Sequence, residues 1–557
     1  MSQDNKYHLG LCMAGAVSAG AYTAGVMDCL IEAIDKWEKA KGKDESIPTH
    51  DIQIDVIGGA SAGGMTSIIA AIALQKKFEA IRKLPSDGGT KNPFFDSWVN
   101  LASKNMMQLM LENSDLEKMK SVKSIFNSSF IDTIANRTIS TFTPGEAGRD
   151  YIRKDLDVFV TLSNLIGVPY NVRFRGNGDK ASSYKMASFR DVGHFSFCGG
   201  YANNGKINIT GEEDDNMKIL RDCAMATGAF PFGLQYREVH RHIKYLKDNK
   251  DLHEFIGNGD VDWKKLEQYC GPDKIYRTVN ADGGLMNNEP FEITMNLLRK
   301  KSGSDMKTLS DYSKTNGSVL MIDPFPTEEI NMEFANDFGL GSLAGKIFGA
   351  MRGQLTFKEE DIERAMDPMN ASRYMIVPKR NRGNDEYAEG AKAIACGAFE
   401  GFSGFFDYHF RTHDYFLGRY NCQKFLRDVY TIQDPLENPI FKKGYHNLAA
   451  QERFFMTDKA TGKIHAPIIP DVDWDKRYNK IPEKYYLPWP QYDEQLRREL
   501  PNLFRKRYKA VFKKSVGGNW LNKLLMGIGY QVVIGRVVTG KTISKIEEEL
   551  KEHGLMK

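Results

Sequence analysis

No two cysteines in this chain stand at Cys-x-x-Cys spacing. The 7 cysteines (Cys12, Cys29, Cys198, Cys223, Cys270, Cys396 and Cys422) are scattered through 557 residues. This argues against a zinc site and a disulfide framework, and it fits a reducing compartment. The Cys/His spacings offer no metal site, so neither a metal nor a cofactor is expected. An excess of one charge sign is also missing, since Lys+Arg 76 against Asp+Glu 72 leaves +4. A nucleic-acid partner therefore has no support. Internal repeats and low-complexity stretches are absent, and no segment reads as a clear transmembrane helix. Residues 9–24 are small and apolar, like the core of a signal peptide, but the first six residues lack a clear positive region. The apolar pattern also runs on through 24–34 with amphipathic-helix spacing. The expectation is therefore strand, Gly-rich turn and helix in a cytoplasmic protein.

What is present describes an ordinary globular chain, 41% hydrophobic and 27% charged. Its length exceeds one ordinary core. We expect a large enzyme domain over 1–330 and a mostly helical C-terminal extension over 331–557. Residues 7–13, 52–57, 156–162, 275–279 and 319–322 read as strands with helical stretches between several of them, which predicts an α/β fold around a mainly parallel sheet. Two insertions interrupt it. Residues 92–137 are amphipathic and rich in Met (Met106, Met107, Met110, Met119), and read as packed helix rather than lid. Residues 175–179 read as a polar loop between meandering strands. Past 330 the pattern is helical and aromatic, densest over 402–415.

The strongest chemical signal is Gly59-x-Ser61-x-Gly63. A serine hydroxyl is a weak nucleophile until a sharp strand-to-helix turn lifts it toward a base and an oxyanion site, and only small residues fit beside such a turn. Every near neighbour of Ser61 is Gly or Ala, with a strand pattern before it and an Ala/Ile-rich helix pattern after it. Ser61 is thus expected at a helix N-terminus, where free N–H groups favour developing negative charge. Two further segments could serve it. The turn from Met13 to Tyr22, rich in Gly and Ala, fits either tight strand–helix packing or amides aimed at an oxyanion. Asp282, between a strand end and Gly283-Gly284, fits either an Asx-turn or a base for Ser61.

These blocks, with Ala224-Met225-Ala226-Thr227-Gly228-Ala229-Phe230-Pro231-Phe232, occur in the order found in patatin-like phospholipases. The resemblance covers residues 6–325. It implies a three-layer α/β/α fold and a serine esterase of the phospholipase A type, with Ser61 as nucleophile and Asp282 as base in a dyad without histidine. It also implies an oxyanion hole at Gly15, Ala16 and Val17, and a phospholipid or other acyl-ester lipid as substrate. One departure is plain. The family's turn reads Gly-Gly-Gly-x-Arg-Gly, and this chain has Gly15-Ala16-Val17-Ser18-Ala19-Gly20. Amides survive a Gly→Ala change wherever φ stays negative, so the hole is expected to persist; loss of the arginine removes a fixed positive charge near the site, which makes substrate preference the property that changes. The extension resembles that of a bacterial patatin-related subgroup at residues 413–419.

Other signals carry less. His194, His240, His409 and His413 cannot be ranked as partners of Ser61, and read as packed or surface residues. Residues 535–542 match Walker A spacing, but the chain ends at Lys557 without the rest of a nucleotide site, so the match reads as chance. Arg505, Lys506, Arg507, Lys509, Lys513 and Lys514 precede an apolar stretch at 520–526; this reads as a solvated helix, with contact to the inner face of a membrane as the functional alternative. Rival functions are acyl transfer to an alcohol and a catalytically decayed lipid-binding scaffold. The oligomeric state is open.

Overall fold

The computed structural model describes residues 6–86, 90–140, 142, 144–174, 182–197, 204–256, 260–304, 311–326, 372–383, 386–478, 487–515 and 538–557. The loop expected at 175–179, Cys198, the apolar stretch at 520–526 and the first three residues of the Walker-like match lie outside them.

Five parallel strands form the centre: β1 (Lys6–Met13), β2 (Asp51–Gly59), β3 (Ile152–Phe174), β9 (Gly317–Ile322) and β10 (Arg373–Ile376), ordered β10-β9-β1-β2-β3. Beyond β3 the sheet turns antiparallel with β4 (Ser182–Phe197), which pairs along the length of β3. A flanking pair, β6 (Arg237–His242) and β8 (Ile275–Ala281), is antiparallel and joins β3 at Ser163 and Asn164. The short β5 (Ile207–Asn208) and β7 (Asp260–Val261) complete ten strands.

Period-two alternation divides the strands between two cores. Leu9, Leu11 and Met13 of β1 enter one, with helix α1 (Gly20–Ala40), helix α2 (Ser61–Gln75) and the helix Tyr408–Asp428. Cys12, Val319 and Met321 enter the other, against the helix Phe291–Ser302. Helices thus cover both faces, giving the α/β/α arrangement expected of a buried, mainly parallel sheet. The Met-rich insertion packs as expected: Met106, Met107 and Met110 are buried in the first core.

The C-terminal part shares that core. β10 extends the sheet past β9, and the helix Tyr408–Asp428 crosses α1 in backbone contact at two glycines. A Cβ on Gly25 would overlap the carbonyl of Tyr415, and one on Gly418 that of Tyr22. Asp407 caps this helix through the N–H of His409 at 2.8 Å. The described part of the Walker-like match is helical (Thr539–Glu552), and the Thr542 hydroxyl donates to the Val538 carbonyl at 2.9 Å. Among the described residues one helical stretch, Val17–Ala40, is long and apolar enough to cross a membrane, and most of it is buried in the core.

His50 sits among Trp37, Phe441 and Tyr445, with Nε2 against the Ile468 carbonyl at 2.9 Å. Burial pushes its pKa down to about 3. The unfolded chain, with an ordinary histidine, binds the proton first, so stability falls as pH drops from 6.5 toward 3. We expect His50 to contribute a slope approaching about 1.4 kcal/mol per pH unit within that window. Denaturant unfolding of wild type and His50→Gln across the window should show a shallower dependence in the variant; equal slopes would contradict the assignment.

Candidate active site

The site stands at the C-terminal edge of β1, β2 and β8. β2 ends at Gly59, Ala60 is extended, and Ser61 turns to φ +52 as α2 begins. A non-glycine residue at positive φ carries strain of about 1–3 kcal/mol, so the surroundings must hold it. A Cβ on Gly63 would overlap the carbonyl oxygens of Met13 and Ala14, and one on Gly59 would stand 2.6 Å from the Gly63 carbonyl. The elbow glycines are therefore required by close approach of the β1 end to the first turn of α2. The Ser61 N–H donates to Thr227 Oγ1 at 2.9 Å, which fixes the turn from the other side.

Asp282 is held through its backbone. Its N–H donates to the Ala229 carbonyl at 2.9 Å, and its own carbonyl accepts from Ser163 Oγ at 2.7 Å. Its Oδ1 accepts the Gly284 N–H at 2.7 Å, an Asx-turn. Oδ2 accepts from Ser61 Oγ at 2.6 Å. One carboxylate oxygen thus closes the Asx-turn, and the other accepts the Ser61 hydroxyl. A Cβ on Gly283 would overlap the Thr161 carbonyl, which explains the first glycine after the aspartate. Ser61 is 6% exposed and Asp282 5%. Little water screens the pair, which strengthens its hydrogen bond.

The turn opposite Ser61 is less uniform than expected. A Cβ on Gly15 would stand 3.0 Å from Ser61 Cβ, so the turn lies directly against Ser61. The Gly15 N–H donates to the Asn288 carbonyl at 3.2 Å. Ala16 keeps φ at −150. Val17, where the family has its third glycine, adopts φ +47. The condition that φ stays negative thus holds at Ala16 and fails at Val17, and a β-branched residue there is a real outlier. Val17 heads the 3-10 turn Val17–Ala19 and Ala62 lies in the first turn of α2, so neither N–H has an intrahelical acceptor.

Sequence reasoning missed Thr227, Ser163 and Asn288 as individuals. Thr227 lay within the small-residue block ending in Phe-Pro, and Asn288 behind the two glycines. Asn288 occupies the space a Cβ on either Gly15 or Gly284 would need, so it spans the turn after β1 and the aspartate loop. The four histidines find partners elsewhere: His194 at Asn249 (3.1 Å), His240 near Glu238 (3.6 Å), His409 at Asp407 (2.9 Å) and His413 at Asp414 (2.8 Å).

The fold is thus a three-layer α/β/α sandwich that carries a serine on a strand-to-helix elbow. A family model described as Patatin-like phospholipase matches residues 11–295, a span that contains every residue of this site. The chain belongs to the patatin-like phospholipase family, which places it among lipid acyl hydrolases. It is also 30% identical over 581 positions to the uncharacterized protein y4iI of Sinorhizobium fredii (strain NBRC 101917 / NGR234), covering 95% of this chain and 79% of that protein.

Thr227→Val keeps the side-chain volume but removes the acceptor of the buried Ser61 N–H. Thermal unfolding should show a loss of about 1–3 kcal/mol. An unchanged melting temperature would mean that the elbow is held by other contacts.

Proposed function

We propose that the protein cleaves fatty-acyl esters of membrane lipids, as a phospholipase A-type serine hydrolase working through a Ser61–Asp282 dyad. The observation that carries this is the 2.6 Å hydrogen bond from Ser61 Oγ to Asp282 Oδ2, made by a serine held at φ +52. Ser61 Oγ attacks the ester carbonyl carbon as its proton passes to Asp282 Oδ2. The oxyanion that forms takes hydrogen bonds from the Ala16, Val17 and Ala62 N–H groups at the positive end of α2. Gly15, with its N–H on Asn288, shapes the turn. Collapse expels the lipid alkoxide, which Asp282 protonates, and leaves an acyl-serine. Water then attacks the acyl carbonyl, Asp282 accepts its proton, and the fatty acid leaves as Ser61 is reprotonated.

The strain at Val17 motivates the second reading, a lipid-binding scaffold whose catalysis has decayed. The two separate in one assay. Fatty-acid release from mixed phospholipid vesicles is expected from wild type, with Ser61→Ala lower by at least about 1,000-fold and Asp282→Asn by about 100- to 10,000-fold. Both variants should keep the wild-type circular dichroism spectrum. Retained hydrolysis in Ser61→Ala would remove the assignment, and no release from wild type would favour the scaffold. A Val17→Gly variant that releases fatty acid faster than wild type would show that strain in the oxyanion turn limits the rate.

A further inference from the structure

Phe232 is 79% exposed, more than any other large apolar side chain among the described residues. It also holds φ +62, a conformation that glycine adopts freely and an aromatic residue rarely enters. Phe230 and Ile125, both more than a third exposed, stand on the same rim. The Ile125 N–H donates to the Phe232 carbonyl at 2.8 Å, and the Phe126 N–H to Gly233 at 3.0 Å. This rim continues the segment that holds the site. Thr227 accepts from Ser61, Ala229 accepts from Asp282, and Phe230 is the next residue.

A basic helix lies beside it. Glu494–Ser515 buries Leu500, Phe504 and Arg507. Arg507 Nε donates to the Ile125 carbonyl at 2.7 Å, and its guanidinium pairs with Asp115 at 2.5 Å. Lys506, Lys509 and Lys513 stay exposed. The basic helix is thus fixed to the apolar rim through Arg507, with its lysines open to solvent.

We propose that this rim is a membrane-docking surface. Phe230, Phe232 and Ile125 enter the headgroup boundary of an anionic bilayer, and Lys506, Lys509 and Lys513 meet its negative headgroups. The proposal rests on the lipid-hydrolase reading above, because docking here presents the dyad to acyl esters. A stable protein partner needs about 800 Å² of complementary surface on each side, and a loop tip of three apolar side chains offers far less. Charge complementarity selects anionic over neutral lipid.

The test is vesicle flotation of the full chain carrying Ser61→Ala, so that the lipid stays intact. Vesicles of equimolar phosphatidylglycerol and phosphatidylcholine should carry the protein to the top, and pure phosphatidylcholine should do so at least about tenfold less well. Lys506→Gln/Lys509→Gln/Lys513→Gln should weaken binding by about 100-fold. Phe232→Gly, which also relieves the backbone, should weaken it by about tenfold or more. Both variants should melt no lower than the parent, which separates lost binding from lost folding. Failure of the parent to float, or equal flotation of both variants, would overturn the proposal. Fluorophosphonate labelling of Ser61 in the wild-type chain is read separately. Labelling without flotation overturns the surface and leaves the hydrolase reading; flotation without labelling overturns the hydrolase reading and leaves the surface.

Discussion

The end of β1 must lie against the first turn of α2 with nothing but backbone between them, and the site depends on that contact. Gly63 meets the carbonyls of Met13 and Ala14, and Gly59 folds back on Gly63. Any Cβ at these positions would push the strand and the helix apart. Their approach forces Ser61 to positive φ, sets its hydroxyl toward Asp282, and brings the turn after Met13 over the same hydroxyl. Strain at Ser61 and at Val17 is maintained by this packing.

The residues beyond the family match take part in holding that turn. The Ser18 N–H donates to the Gly401 carbonyl at 2.9 Å, and the Ser18 hydroxyl donates to the same carbonyl and accepts from the Gly404 N–H. Arg411, buried, donates to the carbonyls of Val99 and Gly404 and so ties the Met-rich insertion to the same segment. Burial lowers its pKa to about 10, still charged at neutral pH. Helix Tyr408–Asp428 then locks against α1 through Gly25 and Gly418. A segment that the sequence suggests is an extension is thus, physically, a clamp on the turn that faces Ser61.

Several elements were legible because their signals are local. β1, β2, β8 and β9 follow from apolar runs with period-two patterning, and each expected strand lies inside an observed one. The elbow was legible because small residues flank one serine between a strand pattern and a helix pattern. The juxtaposition of Ser61 with Asp282 could be anticipated only from block order, since nothing in either segment encodes their approach. Other features were hidden for identifiable reasons. β10 is four residues, Arg373–Ile376, and its short apolar run ends against Pro378 in a stretch whose wider pattern reads as helical. Thr227 contributes one hydroxyl from a helix whose pattern speaks of packing. Val17 and Phe232 adopt positive φ against the preference of their side chains, which only tertiary contacts can impose.

The central claim is that Asp282 activates Ser61 as a nucleophile. The most direct measurement is the rate at which a fluorophosphonate probe labels the folded wild-type chain and Asp282→Asn, with the modified residue identified by mass spectrometry. The account predicts labelling of wild type at Ser61 and labelling slower by at least about 100-fold in Asp282→Asn. Equal labelling of the two, or labelling of another serine, would contradict it.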